Sequence, residues 1–165
     1  MIRADHPEVA GDLQGLGVLL GETNRLAEAE LLVRRALAIY EQSYGLDHPH
    51  VAEALNGLAW LLRDTNRLAE AELLVRWALA IYEQSYGLDH RRVAGDLDTL
   101  AALLQASDRL TEAESFSRRA LQILLDLKRA TGHPHPAMEA VIERHSSLLS
   151  QMGRDPKEVL SELLE

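Results

Sequence analysis

The residues of this chain best suited to bind a metal ion are two His-Pro-His segments, at 48–50 and 133–135. Imidazole is a common ligand of zinc and copper, so each segment could supply two nitrogens. However, His48 recurs as His6 and His90 at the same position of each repeating segment, in each case at a turn. Capping and turn geometry explain such a recurrence. We therefore expect neither a metal ion nor any other cofactor.

Paired carboxylates are the other candidates for chemistry. Two glutamates stand two residues apart near the start of every second predicted helix: Glu28/Glu30, Glu70/Glu72 and Glu112/Glu114. A catalytic pair would be unique, whereas negative charge complements the dipole at the start of any helix. The sequence has no cysteine, and it shows no glycine-rich phosphate loop or nucleophile motif. We therefore expect no catalytic residue and no enzymatic activity.

These residues recur because the chain is an array of repeats. Residues 47–88 repeat residues 5–46 with 33 of 42 positions unchanged, and residues 89–130 keep 18 of 42 positions of the second copy. A period of about 20–50 residues is typical of a solenoid, in which each unit buries its apolar face against its neighbours. We predict one array over 1–165, with repeats at about 5–46, 47–88 and 89–131 and a partial or capping fourth repeat at 132–165.

Each repeat is predicted to form two helices, A and B, because apolar residues recur at helical spacing in two stretches. Residue types that tolerate a left-handed backbone occupy one column between the two stretches, and this column predicts the turn from A to B. Its members are Asn24, Asn66, Asp108 and Gly153. The predicted A helices span 7–21, 49–63, 91–106 and 136–151, and the predicted B helices span 25–44, 67–86, 109–130 and 156–164.

The apolar and small residues of the second repeat follow the helix-pair pattern of the tetratricopeptide repeats. They are Leu55, Leu58, Ala59, Leu62, Ala71, Val75 and Ala78. The 42-residue period and the elements DHPxVAxxLxxLAxLL and RALAIYEQ resemble the kinesin light chain-type subfamily in particular. We therefore expect an all-α fold, a right-handed superhelical α-solenoid of stacked antiparallel helix pairs. Ser117 and the pair Arg91-Arg92 depart from the pattern in the third repeat.

The resemblance implies binding, since the A helices of such arrays line a concave surface that takes up extended peptides or partner helices. A stripe on helix A of the second repeat is left over after the apolar faces are assigned: Glu53, Asn56, Trp60 and Arg63. This stripe diverges between the copies, whereas 25 of the 26 residues 23–48 equal residues 65–90. Partner-specific contacts on helix A would produce this difference, and random drift after a recent duplication is the alternative.

The candidate groove residues are therefore Gln14, Val18, Glu53, Asn56, Trp60, Arg63, Asp98, Ala102 and Gln105. We expect Asn56 to bond to the backbone of the bound segment and Trp60 to serve as an apolar anchor. Packing of Trp60 against a neighbouring helix is the alternative interpretation. Arg63, together with the arginines of the third repeat, suggests a preference for some acidic character in the partner.

Charge and composition narrow the class of partner. A net charge of −9 with only two lysines argues against nucleic acid. No apolar run approaches the roughly 20 residues of a membrane span, and no signal peptide opens the sequence, so we expect a cytoplasmic protein without membrane contact. The predicted function is a non-catalytic module that binds a protein or peptide, as an adaptor or as part of a larger regulatory protein.

Self-assembly into a structural scaffold is the alternative function. We expect the outer side of the first repeat to be uncovered, and an apolar stripe follows near the C-terminus, at Val159, Leu160, Leu163 and Leu164. Because exposed ends of a repeat array are apolar, we predict a homodimer through the terminal faces.

Overall fold

The structure is a computed structural model that describes residues 3–164, with side chains described for residues 3–163. Within this span it contains eight α-helices and no strand. The helices are α1 (Pro7–Glu22), α2 (Leu26–Tyr44), α3 (Pro49–Asp64), α4 (Leu68–Tyr86), α5 (Arg91–Ala106), α6 (Leu110–Thr131), α7 (Met138–Gln151) and α8 (Pro156–Leu164). Odd-numbered helices are A helices and even-numbered helices are B helices. The predicted all-α repeat fold is confirmed, and the predicted helix ends agree with the observed ones to within about two residues.

The turn from helix A to helix B has the left-handed backbone that the sequence predicts. Asn24, Asn66 and Asp108 have φ angles of 61°, 60° and 59°, and Gly153 has a φ angle of 73°. Most residues with a Cβ avoid this region, whereas Asn, Asp and Gly tolerate it. The amide of Arg67, directly after Asn66, donates to the carbonyl oxygen of Leu62 over 2.8 Å, so the turn closes the last turn of α3.

The turn from helix B to the next helix A is built from glycine, histidine and proline. Gly45 ends α2 with a φ angle of 88°. His48 is the N-cap of α3, and its Nδ1 atom accepts a hydrogen bond from the amide of His50 over 3.2 Å. His6 and His90 cap α1 and α5 in the same way. The predicted capping role of the recurring histidine is therefore confirmed.

Contacts divide the chain into two compact units, Met1–Ser85 and Tyr86–Glu165. In the described part of the first unit, α1 packs on α2, α2 packs on α3, and α1 lies beside α3. In the second unit, α5 packs on α6, α6 packs on α7, α7 packs on α8, and α5 lies beside α7. Neighbouring A helices therefore stand side by side within each unit.

Small residues allow the helices to approach closely. Three columns of small residues are buried throughout the first three repeats: Ala29, Ala71 and Ala113, then Ala36, Ala78 and Ala120, and Gly17, Ala59 and Ala101. A Cβ atom placed on Gly17 would lie 2.6 Å from Cγ2 of Val33, so α1 and α2 meet at a point with no room for a side chain. Leu58, Leu62 and their equivalents in the third repeat fill the remaining space and are fully buried.

The recurring glutamates have a structural role beyond the helix dipole. In the first unit a closed ring of alternating charge joins α2 to the start of α4. Arg67 bonds to Glu30 over 2.9 Å and to Glu70 over 2.5 Å, and Arg34 bonds to Glu30 and Glu70 over 2.8 Å. Burial alone would raise the pKa of Glu30, but hydrogen bonds from Arg34 and Arg67 outweigh it and lower that pKa.

The fourth repeat departs from the period of the first three. Its turn residue Gly153 follows Asp108 by 45 residues rather than 42, because α6 has 22 residues whereas α2 and α4 have 19. This shift places His145 in the column of Leu58 and Leu100, where it is fully buried. Nδ1 of His145 lies 3.2 Å from Oγ of Ser117, the residue that departs from the pattern in the third repeat. The two departures therefore form one polar pair inside the second unit.

Candidate protein-binding surface

The predicted groove residues lie on A helices, where the structure sets neighbouring A helices side by side. We call the part on α1 and α3 the first-unit surface; its members are Gln14, Val18, Glu53, Asn56, Trp60 and Arg63. We call the part on α5 and α7 the second-unit surface; its predicted members are Asp98, Ala102 and Gln105, all on α5. Val18 and Arg63 are exposed, and the other members are half-buried.

Trp60 both packs and remains accessible. A Cβ atom placed on Gly21 would lie 2.5 Å from Cζ3 of the indole, so the Trp60 ring occupies the space that the glycine of α1 leaves open. The ring is nevertheless only half-buried. Both interpretations of the sequence therefore describe part of its environment: the indole contacts a neighbouring helix, and one side of it borders the surface.

A cavity opens beside this indole. It has a volume of about 260 Å³ and its walls come from α1, α2 and α3. The lining residues are Gly17, Val18, Glu22, Val33, Gly57, Trp60 and Leu61. Glu22 is the one charged residue among them, so the cavity is an apolar recess with a single carboxylate.

The first-unit surface carries one acidic side chain, Glu53, and one basic side chain, Arg63. Nδ1 of His50 lies 3.0 Å from a carboxylate oxygen of Glu53. The pKa of Tyr40 is raised, mainly because the side chain is buried and also because the charge of Glu53 is near. Arg63, the one basic residue predicted here, bonds over 3.2 Å to Asp64, its neighbour in sequence. This pairing reduces the positive charge that Arg63 presents to a ligand.

In the second-unit surface, predicted residues bond to side chains that the sequence analysis did not select. Nε of Arg144 donates to Asp98 over 2.7 Å, and Nε2 of Gln105 donates to Oγ of Ser147 over 3.1 Å. Both bonds join α5 to α7. Aligning the fourth repeat on Gly153, with three extra residues before α7, would have placed Ser147 in the column of Trp60 and found this side of the surface.

The structure places the histidines that the sequence offers as metal ligands. Within residues 3–163, no group of three or more His, Asp or Glu side chains is arranged to hold a metal ion. Nδ1 of His48, the N-cap of α3, accepts a hydrogen bond from the amide of His50 over 3.2 Å, and Nδ1 of His135 accepts one from the amide of Ala137 over 3.1 Å in the turn before α7. None of the helices in the described part of the chain combines the length and apolarity needed to cross a bilayer.

A comparison with known sequence families found a match over part of the chain. Residues 12–84 match the sequence model of a tetratricopeptide repeat family. A search of curated proteins found no significant match. The predicted resemblance to tetratricopeptide repeats is confirmed by this match, and the predicted likeness to repeats of the kinesin light chain type extends to the fold of the solved structures described next.

Several solved structures share the fold. BtubC (BKLC) from P. vanneervenii superimposes with a TM-score of 0.82 at 23% identity, over 90% of this chain and 58% of that one. The nearly identical TPR-like repeats of a kinesin light chain-like protein from Podosopora anserina give 0.81 at 20% identity, over 96% of this chain and 74% of that one. A variant of the latter with one residue substituted gives 0.81 at 18% identity, over 99% and 76%. This chain therefore spans just over half the length of BtubC, and at these identities the likeness establishes the fold.

Proposed function

We propose that this chain is a non-catalytic interaction module that binds a peptide or helical segment of a partner protein across its A helices. Tetratricopeptide repeats generally mediate protein–protein interactions. The observation that carries the proposal is the contrast between the faces of the repeat. The first-unit surface combines an open apolar cavity with amide and carboxylate side chains, whereas helix B of the second repeat copies that of the first almost unchanged.

The proposed contacts follow from the side chains of the first-unit surface. The amide of Gln14 offers a donor and an acceptor to an extended backbone, and Asn56 offers its amide nitrogen, because its Oδ1 atom is buried. Val18 and Trp60 offer apolar contact. Because Arg63 is already bonded to Asp64, we propose that this surface favours a basic segment rather than the acidic one suggested by the sequence. In the second-unit surface, Asp98 and Gln105 stay bonded to α7, and Ala102 leaves room between them.

Selection from a display library of random 12-residue peptides tests this proposal. We expect enriched peptides whose affinity falls at least about tenfold in Asn56→Ala and in Trp60→Ala, since a central contact is typically worth more than about 1 kcal/mol. Leu73→Ala is the matched control, because Leu73 is an apolar side chain on α4 that is 69% exposed. Equal affinity for all three variants would contradict the proposed surface.

Self-association is a second candidate, favoured by the outer face of the first repeat. Leu16 and Leu19 are 48% and 59% exposed, whereas their equivalents in the second repeat, Leu58 and Leu61, are 0% and 1% exposed. At the other end Val159, Leu160 and Leu163 are half-buried, and the side chain of Leu164 lies outside the described residues. We therefore propose that the 165-residue chain forms a homodimer through the face of the first repeat.

Sedimentation velocity at tens of micromolar tests this second candidate. An apolar contact should survive about 1 M salt, because salt screens charges but not apolar contacts. Leu19→Glu should shift the mass to that of a monomer, and Leu73→Glu is a control on an exposed leucine of α4. A monomer at every concentration would contradict the dimer and leave the peptide-binding proposal standing.

A further inference from the structure

The cavity of the first-unit surface indicates which kind of side chain the partner inserts. We propose that it takes one apolar side chain of phenylalanine or leucine size, and that a basic residue next to that side chain pairs with Glu22. This inference rests on the proposed peptide-binding function and adds the chemistry of the ligand to it.

The size and lining of the cavity determine the size and polarity of the side chain that it can accept. Its volume is about 260 Å³, and an apolar protein cavity of about 150 Å³ is known to accept benzene. Val33 of α2 and Leu61 of α3 are buried and form part of its walls, and the half-buried indole of Trp60 forms another. A polar side chain would lose its hydration there without gaining a partner from these walls.

Glycine keeps the cavity open. A Cβ atom on Gly57 would lie 3.8 Å from Cγ1 of Val33 and 3.9 Å from Nε2 of Gln14, so the position tolerates a side chain but currently has none. In the second unit the equivalent of Gly57 is Thr99, and the equivalent of Trp60 is Ala102. The pair of residues that shapes this recess therefore occurs once in the array.

The charge at the cavity favours a basic residue next to the inserted apolar side chain. Glu22 lines the cavity and is exposed, and α1, the helix to which it belongs, contains no lysine or arginine. The nearest arginine along α3, Arg63, is bonded to Asp64. A basic residue beside the inserted side chain would thus meet uncompensated negative charge, while an acidic one would be repelled.

The experiment fills the cavity by a substitution at Gly57 and compares the effect on peptide binding with that of the same substitution at an equivalent glycine. Gly57→Leu places an aliphatic side chain where the ligand would sit. Gly15→Leu is the matched control, because Gly15 is the equivalent residue of the first repeat and a Cβ atom there meets nothing within 4 Å. Both changes replace a helical glycine and gain similar helix propensity. The probes are the 12-residue peptides enriched by display selection on the unmodified chain.

We expect the enriched peptides to share a Phe, Leu, Ile or Met within two positions of an Arg or Lys. Their affinity should fall at least about tenfold in Gly57→Leu and change less than about twofold in Gly15→Leu. Glu22→Arg should lower the affinity of the enriched peptides at least about fivefold, and Glu22→Gln should lower it by a smaller factor. If Gly57→Leu does not fold, Gly57→Ala narrows the cavity within ordinary contacts and should weaken binding about threefold or more.

Contrary outcomes separate this inference from the proposed function. Peptides that bind Gly57→Leu and Gly57→Ala normally but lose affinity in Asn56→Ala would overturn the cavity inference alone. Enrichment of acidic residues beside the apolar one would overturn the role of Glu22. A change in oligomeric state in Gly57→Leu would show that a second copy fills the cavity, and the absence of any enriched peptide would count against the proposed function itself.

Discussion

Acid should weaken the packing of α7 on α6 through the buried histidine His145. The side chain has no solvent exposure, and burial lowers its pKa below the ordinary value. The carboxylate of Glu114, 3.9 Å from Nε2, opposes this shift, while the guanidinium groups of Arg118 and Arg154 add to it. His145 therefore stays neutral in the folded protein at pH values where it would be charged in the unfolded chain.

The size of the effect follows from proton linkage. An unfolded histidine titrates near pH 6.5, so below this pH the unfolded state binds a proton that the folded state does not. Stability is therefore lost as the pH falls from about 6.5 towards the lowered pKa of the folded state, by up to about 1.4 kcal/mol per pH unit. Between pH 7 and pH 5 His145 contributes a loss of at most about 2 kcal/mol.

Urea unfolding at pH 7 and pH 5 measures this contribution. The variant His145→Leu carries the leucine found at the equivalent positions Leu58 and Leu100, and it removes the titrating group. Its loss of unfolding free energy between the two pH values should be smaller than that of the parent by up to about 2 kcal/mol. His133→Gln, at an exposed histidine, should leave the loss unchanged. An equal loss in the parent and in His145→Leu would refute the reasoning.

Two further substitutions test the packing and the turns. Ala59→Leu should lower the unfolding free energy by about 1–3 kcal/mol, because Ala59 is 1% exposed in a column of small residues. Unchanged stability in a urea melt would show that this column lies away from a close helix contact. Asn66→Ala should cost about 1–2 kcal/mol at a φ angle of 60°, whereas Asn66→Gly should stay within about 0.5 kcal/mol of the parent in the same measurement; equal effects of the two changes would contradict a turn set by backbone conformation.

Local features of the fold were predictable because each depends on the chemistry of a few neighbouring residues. Asn66 marks a turn because few residue types adopt positive φ, and Gly45 ends a helix for the same reason. His48 recurs because its imidazole caps the next helix. The same residue types recur at the same position of successive repeats, so the helix ends could be predicted to within about two residues.

Contacts between distant residues were harder to predict. Ser117 stood out as a departure from the pattern, but its partner His145 lies 28 residues away in a repeat with a shifted register. Because of the same three-residue shift, the sequence analysis did not select Arg144 and Ser147, which bond to Asp98 and Gln105 of the second-unit surface. The register of α7 depends on the longer segment before it, and a fixed 42-residue period does not describe that segment.

The cavity beside Trp60 also required the structure. Gly21 belongs to a variable column of the predicted stripe, where the second and third repeats have Arg63 and Gln105. The sequence therefore suggested a surface position, whereas in the structure Gly21 makes room for the Trp60 indole of the next A helix. Whether two such residues meet depends on how α1 and α3 stand beside each other, and that is a tertiary feature.

The most direct test of the central claim is to map where a selected 12-residue peptide binds, by backbone amide chemical shifts during a titration. We predict that the largest shift changes fall on A helices, around Val18, Asn56 and Trp60 in the first-unit surface. Changes centred instead on the exposed B-helix leucines Leu31 and Leu73, with the A helices unaffected, would contradict the account.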